Sequence, residues 1–119
     1  SPPNGKFFSL SHTQGAALCA VADAEVGADV ERLRPVDEAV ARRMGAAGAE
    51  DFIARWVRRE SRAKYLGTGA FAAPMRFSDG EEAGKYYSLE LLPGFVSGVF
   101  CGGDAVISAR TLDINWLSA

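Results

Sequence analysis

The chain has 119 residues and a formal net charge of −2, enough for one domain with its own core and too short for two of full size. With 48% hydrophobic and 24% charged residues it reads as neither disordered nor fibrous, and no apolar run approaches the roughly 20 residues of a membrane span. Charge is unevenly spread: residues 32–64 hold nine of the thirteen basic residues and five of the fifteen acids, a local +4 against −6 elsewhere. Such a basic middle fits a local anionic partner or a solvated helix face, not the broad positive field of a nucleic-acid binder.

Residues 1–6 have no signal-peptide layout and are expected to be a ragged terminus before a single domain over 7–119. Alternation predicts a strand over 7–12, Thr13-Gln14-Gly15 a turn, and the apolar run 16–22 a second strand. A third strand is expected over 26–33, closed by Pro35, and the three are simplest as a meander. A short helix over 36–44 ends at Gly45. The strongest helical signal covers 49–66, with Glu50 and Asp51 in its first turn and Gly67 just past its end. Phe52, Ile53, Trp56, Val57 and Ala63 form its apolar stripe. Residues 67–74 read as a loop. Strands are expected over 85–92, 95–101 and 105–112, separated by Pro93-Gly94 and Gly102-Gly103-Asp104. The fold class is α+β, with helices inserted between two antiparallel strand groups. Cys19 and Cys101 lie in apolar segments without metal-ligand spacing, so free thiols are expected rather than a disulfide, in a cytoplasmic protein.

Chemistry concentrates in two places. On a strand, Asp29 and Glu31 share one face with Cα atoms roughly 7 Å apart, while Val26, Ala28 and Val30 face the other way. Side by side, these carboxylates need a positive partner, which is either Arg32 or Arg34, or a hard cation such as magnesium. On the long helix, Glu60 falls on the apolar stripe, four residues after Trp56 and three after Val57, so it too needs a partner. One partner is Lys64, a turn further on. The other is the same cation as Asp29 and Glu31, with Lys64 beside it for an anion. His12, the only histidine, follows Ser11 at a strand end, where it caps a turn or donates to a phosphate.

Three segments occur in an informative order: Phe8-Ser9-Leu10-Ser11-His12, Gly27-Ala28-Asp29-Val30-Glu31, and Trp56-Val57-Arg58-Arg59-Glu60-Ser61-Arg62-Ala63-Lys64. They resemble the three signature motifs of Sfp-type 4′-phosphopantetheinyl transferases. Gly67-Thr68-Gly69 with Pro74 resembles that family's glycine-rich loop, and residues 95–112 resemble its C-terminal hairpin. The resemblance implies the phosphopantetheinyl transferase fold, with antiparallel strands packed against a long helix. It implies transfer of the phosphopantetheine arm of coenzyme A to a serine of an acyl or peptidyl carrier protein, in fatty-acid, polyketide or nonribosomal-peptide synthesis. Position by position, it makes Asp29, Glu31 and Glu60 the magnesium ligands. It gives Lys64 and Arg59 to the coenzyme A phosphates, with Ser11 and His12 contacting them too, and Glu60 to the proton of the attacking serine.

Three departures qualify what the resemblance implies. Arg59 stands where the family has lysine: the charge is kept, but a fixed planar guanidinium is a poor substitute where a compact, titratable ammonium is required. The segment between Asp29 and Glu60 is shorter than usual, where the family meets its carrier. The chain also corresponds to the second half of a pseudo-dimer, which would leave a large apolar face exposed and implies either self-association or an upstream half-domain. The competing readings are a non-catalytic relative serving as an interaction module, and a small-molecule or nucleotide binder whose acidic cluster makes structural ion pairs only. A nucleic-acid binder fits least, because Phe52 and Trp56 belong to the core stripe and leave the basic segment without stacking aromatics.

Overall fold

The structure is a computed structural model that describes residues 6–67, 84–102 and 107–113. The start of the chain, most of the expected glycine-rich loop with Pro74, and residues 105–106 of the expected last strand lie outside the described residues. Within them run β1 (Phe7–Thr13), β2 (Ala16–Ala22), β3 (Val26–Arg32), α1 (Glu38–Arg43), α2 (Ala49–Leu66), β4 (Lys85–Leu89), β5 (Phe95–Cys101) and β6 (Ile107–Asp113). The class is α+β: two three-stranded antiparallel sheets and one main helix. No helix among the described residues is long and apolar enough to cross a membrane.

Local chemistry sets most boundaries. A two-residue connection, Gln14-Gly15, joins β1 to β2, and Gly15 takes the positive φ of 90° that such tight hairpins demand. Helix α1 starts later than its apolar pattern suggests, because Asp37 caps it: one carboxylate oxygen accepts from the backbone N–H of Ala39 at 2.9 Å and of Val40 at 3.1 Å. Helix α2 ends at Gly67, whose left-handed backbone (φ 72°) closes the last turn. Strand β4 stops at Leu89, short of the expected 92, before a turn at Gly94 (φ 81°) reverses the chain into β5.

Topology departs from the expected meander. The sheet orders are β1-β2-β6 and β3-β5-β4, so each sheet mixes strands from before and after the helices. The closing strands likewise do not form the anticipated hairpin, since β5 and β6 belong to different sheets. Burial explains the route of β3. Val26 to Val30 are buried without a break, so this strand needs cover on both faces, as a strand in a middle layer does. One face brings Val26, Ala28 and Val30 against Leu18, Ala20 and Ala22 of β2, with Val99 and Cys101 of β5. The other face lies under α2, whose Phe52, Ile53 and Val57 form a second cluster with Ala41 and Ala46, against which Val96 of β5 packs. The second sheet is therefore sandwiched between the first sheet and the helices. Both cysteines are free, as expected.

Among the described residues β3 is an edge strand, with outward N–H groups that no neighbouring ladder satisfies. Two serines of β1 take that role: the N–H of Ala28 donates to Ser9 Oγ at 2.9 Å, and that of Val30 to Ser11 Oγ at 3.1 Å. Side-chain hydroxyls thus join the two sheets where backbone pairing stops, and the buried donors are not left unmatched. Ser9→Ala is expected to strand the Ala28 N–H and cost about 1–3 kcal/mol in a denaturant titration. An unchanged midpoint would show that the hydroxyl contributes nothing to the junction.

Candidate functional site

Asp29 stands at the junction of β1, β3 and α2. Alternation along β3 turns it to the helix side, away from the inter-sheet core that takes Ala28 and Val30. Its carboxylate is buried, with 6% of the residue exposed. One oxygen, Oδ1, accepts from Ser11 Oγ at 3.1 Å and lies 3.7 Å from Lys64 Nζ. Lys64 in turn donates to the backbone carbonyl of Leu10 at 3.2 Å. The other oxygen, Oδ2, is buried without a hydrogen-bond partner among the described residues. Burial pushes the Asp29 carboxyl up to about 7; the Lys64 charge opposes this, the Glu31 charge adds to it, the Ser11 hydrogen bond opposes it, and Glu60 adds to it.

The signs of these influences place both other acids in the electrostatic neighbourhood of Asp29. Glu31 follows on the same face of β3, half-buried, and Arg34 holds it at 3.3 Å while also donating to the Arg32 carbonyl at 3.0 Å. Of the partners expected for the acidic pair, Arg34 is therefore present. Glu60 is half-buried on α2. Lys64 turns its ammonium to Asp29 and the Leu10 carbonyl rather than pairing with Glu60 one turn back. Arg59, the residue before Glu60, lays its guanidinium 5.1 Å from the centre of the Trp56 ring. Its Nε and Nη1 are buried without hydrogen-bond partners among the described residues, which leaves donor capacity for an anion.

Ser11 and His12 separate, as neighbours on a strand must. Ser11 is buried and fully engaged, donating to Asp29 and accepting from Val30. His12 is exposed on the opposite face, the one that carries Phe8 and Leu10, 64% and 63% exposed. Val21, opposite Phe8 across the ladder, extends that apolar strip. Among the described residues no three His, Cys, Asp or Glu side chains converge into a ready cation cage. For a hard cation the observation in favour is the orphaned Oδ2 of Asp29, since a buried carboxylate oxygen without a donor is costly unless something positive reaches it.

Helix α2 reaches this site because Gly27 lets it. A Cβ at Gly27 would fall on the backbone carbonyl of Ser61 and the backbone N–H of Tyr65, and within 3.0 Å of the Lys64 carbonyl carbon. The helix backbone thus rests directly on β3, two residues before Asp29. Gly98 of β5, opposite Asp29 in register, is a second such position: there a Cβ would fall on the Tyr86 hydroxyl. Sequence reasoning gives no role to Tyr86, nor to Ser9, although Ser9 lies within the first motif. The available signals were a glycine inside each of two strand patterns, which marks a close approach, and the Ser-x-Ser alternation of β1.

The chain matches no family model, and comparison with curated proteins finds no match.

Proposed function

We propose that the chain is a magnesium-dependent 4′-phosphopantetheinyl transferase domain, acting on coenzyme A and a carrier-protein serine. The observation that carries this reading is the buried Asp29 carboxylate, with one oxygen held by Ser11 and Lys64 and the other open, next to the charges of Glu31 and Glu60. The order of the three motifs supports it, because the residues that the resemblance names fall on three separate elements that meet at Asp29. Asp29, Glu31 and Glu60 would hold the cation, with Glu31 leaving Arg34. Once bound, magnesium neutralises charge on the diphosphate of coenzyme A.

In the proposed reaction a bond forms between the carrier serine Oγ and the β-phosphorus, while the bond from that phosphorus to the bridging oxygen breaks. Adenosine 3′,5′-bisphosphate departs with the bridging oxygen, and the serine proton passes to Glu60. Lys64 supplies fixed positive charge beside the diphosphate. Arg59, with free buried donors, takes a further phosphate oxygen in place of the family's lysine. His12, on the outer face of β1, is assigned to coenzyme A by resemblance alone. The apolar strip of Phe8, Leu10 and Val21 supports a second half seated there, whether an upstream domain or another copy.

A specific observation favours the rival, a non-catalytic module: the pairs Glu31–Arg34 and Asp29–Lys64 already neutralise much of the site. Transfer separates the two. Mixed with coenzyme A, magnesium and a panel of apo carrier proteins, the chain is expected to add one phosphopantetheine to a carrier, seen by mass spectrometry and lost with EDTA. Absence of both transfer and coenzyme A binding, the latter by calorimetry, would establish the module instead.

A further inference from the structure

Tyr86 approaches the Asp29 site from a strand away. Its register partner on β5 is Phe100, with ring centres 5.7 Å apart. From there the ring leans diagonally across β5, so that its hydroxyl occupies the space above Gly98 where any other residue would place a Cβ. Gly98 is the direct cross-strand neighbour of Asp29. Adjacent strands lie about 4.8 Å apart, and an aromatic side chain spans such a diagonal. The hydroxyl is thereby carried toward β3 on the face that bears Asp29. Arg58 of α2 closes over the ring, its guanidinium 5.0 Å from the ring centre, so the phenol is pinned between helix and sheet.

Electrostatics agree with this placement. Burial pushes the Tyr86 phenol up to about 12; Arg58 opposes the rise and the Asp29 charge adds to it. At neutral pH the group is a protonated donor. Asp29 offers an orphaned buried oxygen on the same face, and Lys64 an ammonium beside it. A phenol on that face and an ammonium beside the carboxylate suit a ligand that is itself rich in anionic oxygens and brings a cation to the carboxylate. A diphosphate has that chemistry; a neutral sugar or an apolar acyl chain does not.

We propose that Tyr86 is a further substrate-binding residue, its hydroxyl donating to a diphosphate oxygen of coenzyme A seated beside Asp29 and Lys64. The inference rests on the transferase reading but goes beyond its motifs, since Tyr86 lies outside all three. Gly98 is the residue that makes room for it.

The test is calorimetric titration of inorganic pyrophosphate, then coenzyme A, in magnesium, into the wild type and Tyr86→Phe. The variant keeps the ring, the Phe100 contact and the Arg58 contact. Affinity for both probes is expected to fall about tenfold, with the melting temperature unchanged, as loss of one hydrogen bond to a charged group predicts. Equal affinity in the two proteins would overturn the role of Tyr86 and leave the transferase reading standing. Failure of the wild type to bind either probe would overturn both. If the variant melts early, the wild type labelled with 3-fluorotyrosine decides: the Tyr86 fluorine resonance, assigned by elimination with Tyr65→Phe and Tyr87→Phe, is expected to shift on adding pyrophosphate. A resonance that stays in place would refute the contact.

Discussion

Replacing Asp29 with asparagine is expected to lower transfer by at least about a hundredfold, while leaving the chain as stable as the wild type, or more so, above pH 7. The shape of the side chain is kept, and the carboxamide oxygen of the variant still accepts from Ser11 Oγ. What disappears is the charge. The folded protein holds the Asp29 proton up to about pH 7, whereas the unfolded chain releases it near the ordinary value of 3.8. Between those values the folded state binds more protons, so wild-type stability falls as pH rises through the window. The burden at pH 8 is on the order of a few kcal/mol, and the asparagine variant does not carry it. Thermal melts from pH 4 to 8 are therefore expected to slope downward for the wild type relative to Asp29→Asn. Magnesium above pH 7 is expected to raise the melting temperature of the wild type only, because a ligand that binds the folded state stabilises it. A variant that transfers at the wild-type rate, with no chelator present, would remove Asp29 from the site. Parallel pH profiles would show that the buried carboxylate carries no penalty.

A gain in stability alongside a loss of activity is the usual mark of a group kept for function at the expense of folding. Ser11 and Lys64 lessen that burden without removing it, since both serve the same oxygen.

Short-range patterns in the sequence reach the individual elements and the residues of the candidate site, but not the way the strands are shared between the two sheets. The bounds of β2, α2 and β5 follow from an apolar run, a helical stripe ending in glycine, and a run closed by glycines. Asp29 and Glu31 were legible as a pair because strand alternation is local, and Glu60 and Lys64 because one helical turn separates them. Each inference needed only neighbours within four residues. The path of β3 was not legible in this way: leaving the meander for the second sheet follows from burial on both faces, which depends on where α2 and β2 come to lie. The same limit hid Tyr86 and Ser9, whose roles arise from partners 12 and 19 positions away, Gly98 and Ala28. It also hid the choice Lys64 makes, since a partner at i−4 is visible in sequence and one 35 residues back is not. Ser11 and His12 looked like one unit for the opposite reason: adjacency in sequence places them on opposite faces of a strand.

Gly27→Ala is expected to destabilise the chain by about 3 kcal/mol or more, the upper end of what overpacking costs. Gly27 sits in regular strand backbone, so the penalty is steric rather than conformational. The atoms in the way are the Ser61 carbonyl and the Tyr65 N–H of α2, backbone groups inside a helix that have no rotamer to change. Ser61 itself is fully buried and small, its hydroxyl turned back to the Arg58 carbonyl at 2.9 Å, so the closest point between helix and sheet is small residue on small residue. Room for one methyl is made only by lifting α2, and lifting α2 carries Glu60 and Lys64 away from Asp29. Folded Gly27→Ala protein is therefore expected to lose transfer as well as stability, the reverse of the divergence expected for Asp29→Asn. Gly48→Ala is the control, since a Cβ at the start of α2 meets nothing within 4 Å among the described residues and its backbone is extended. Guanidinium titrations of the three variants, with transfer measured on each, decide the matter. Should Gly27→Ala melt with the wild type and still transfer, direct contact of helix and strand would not be what brings the site together.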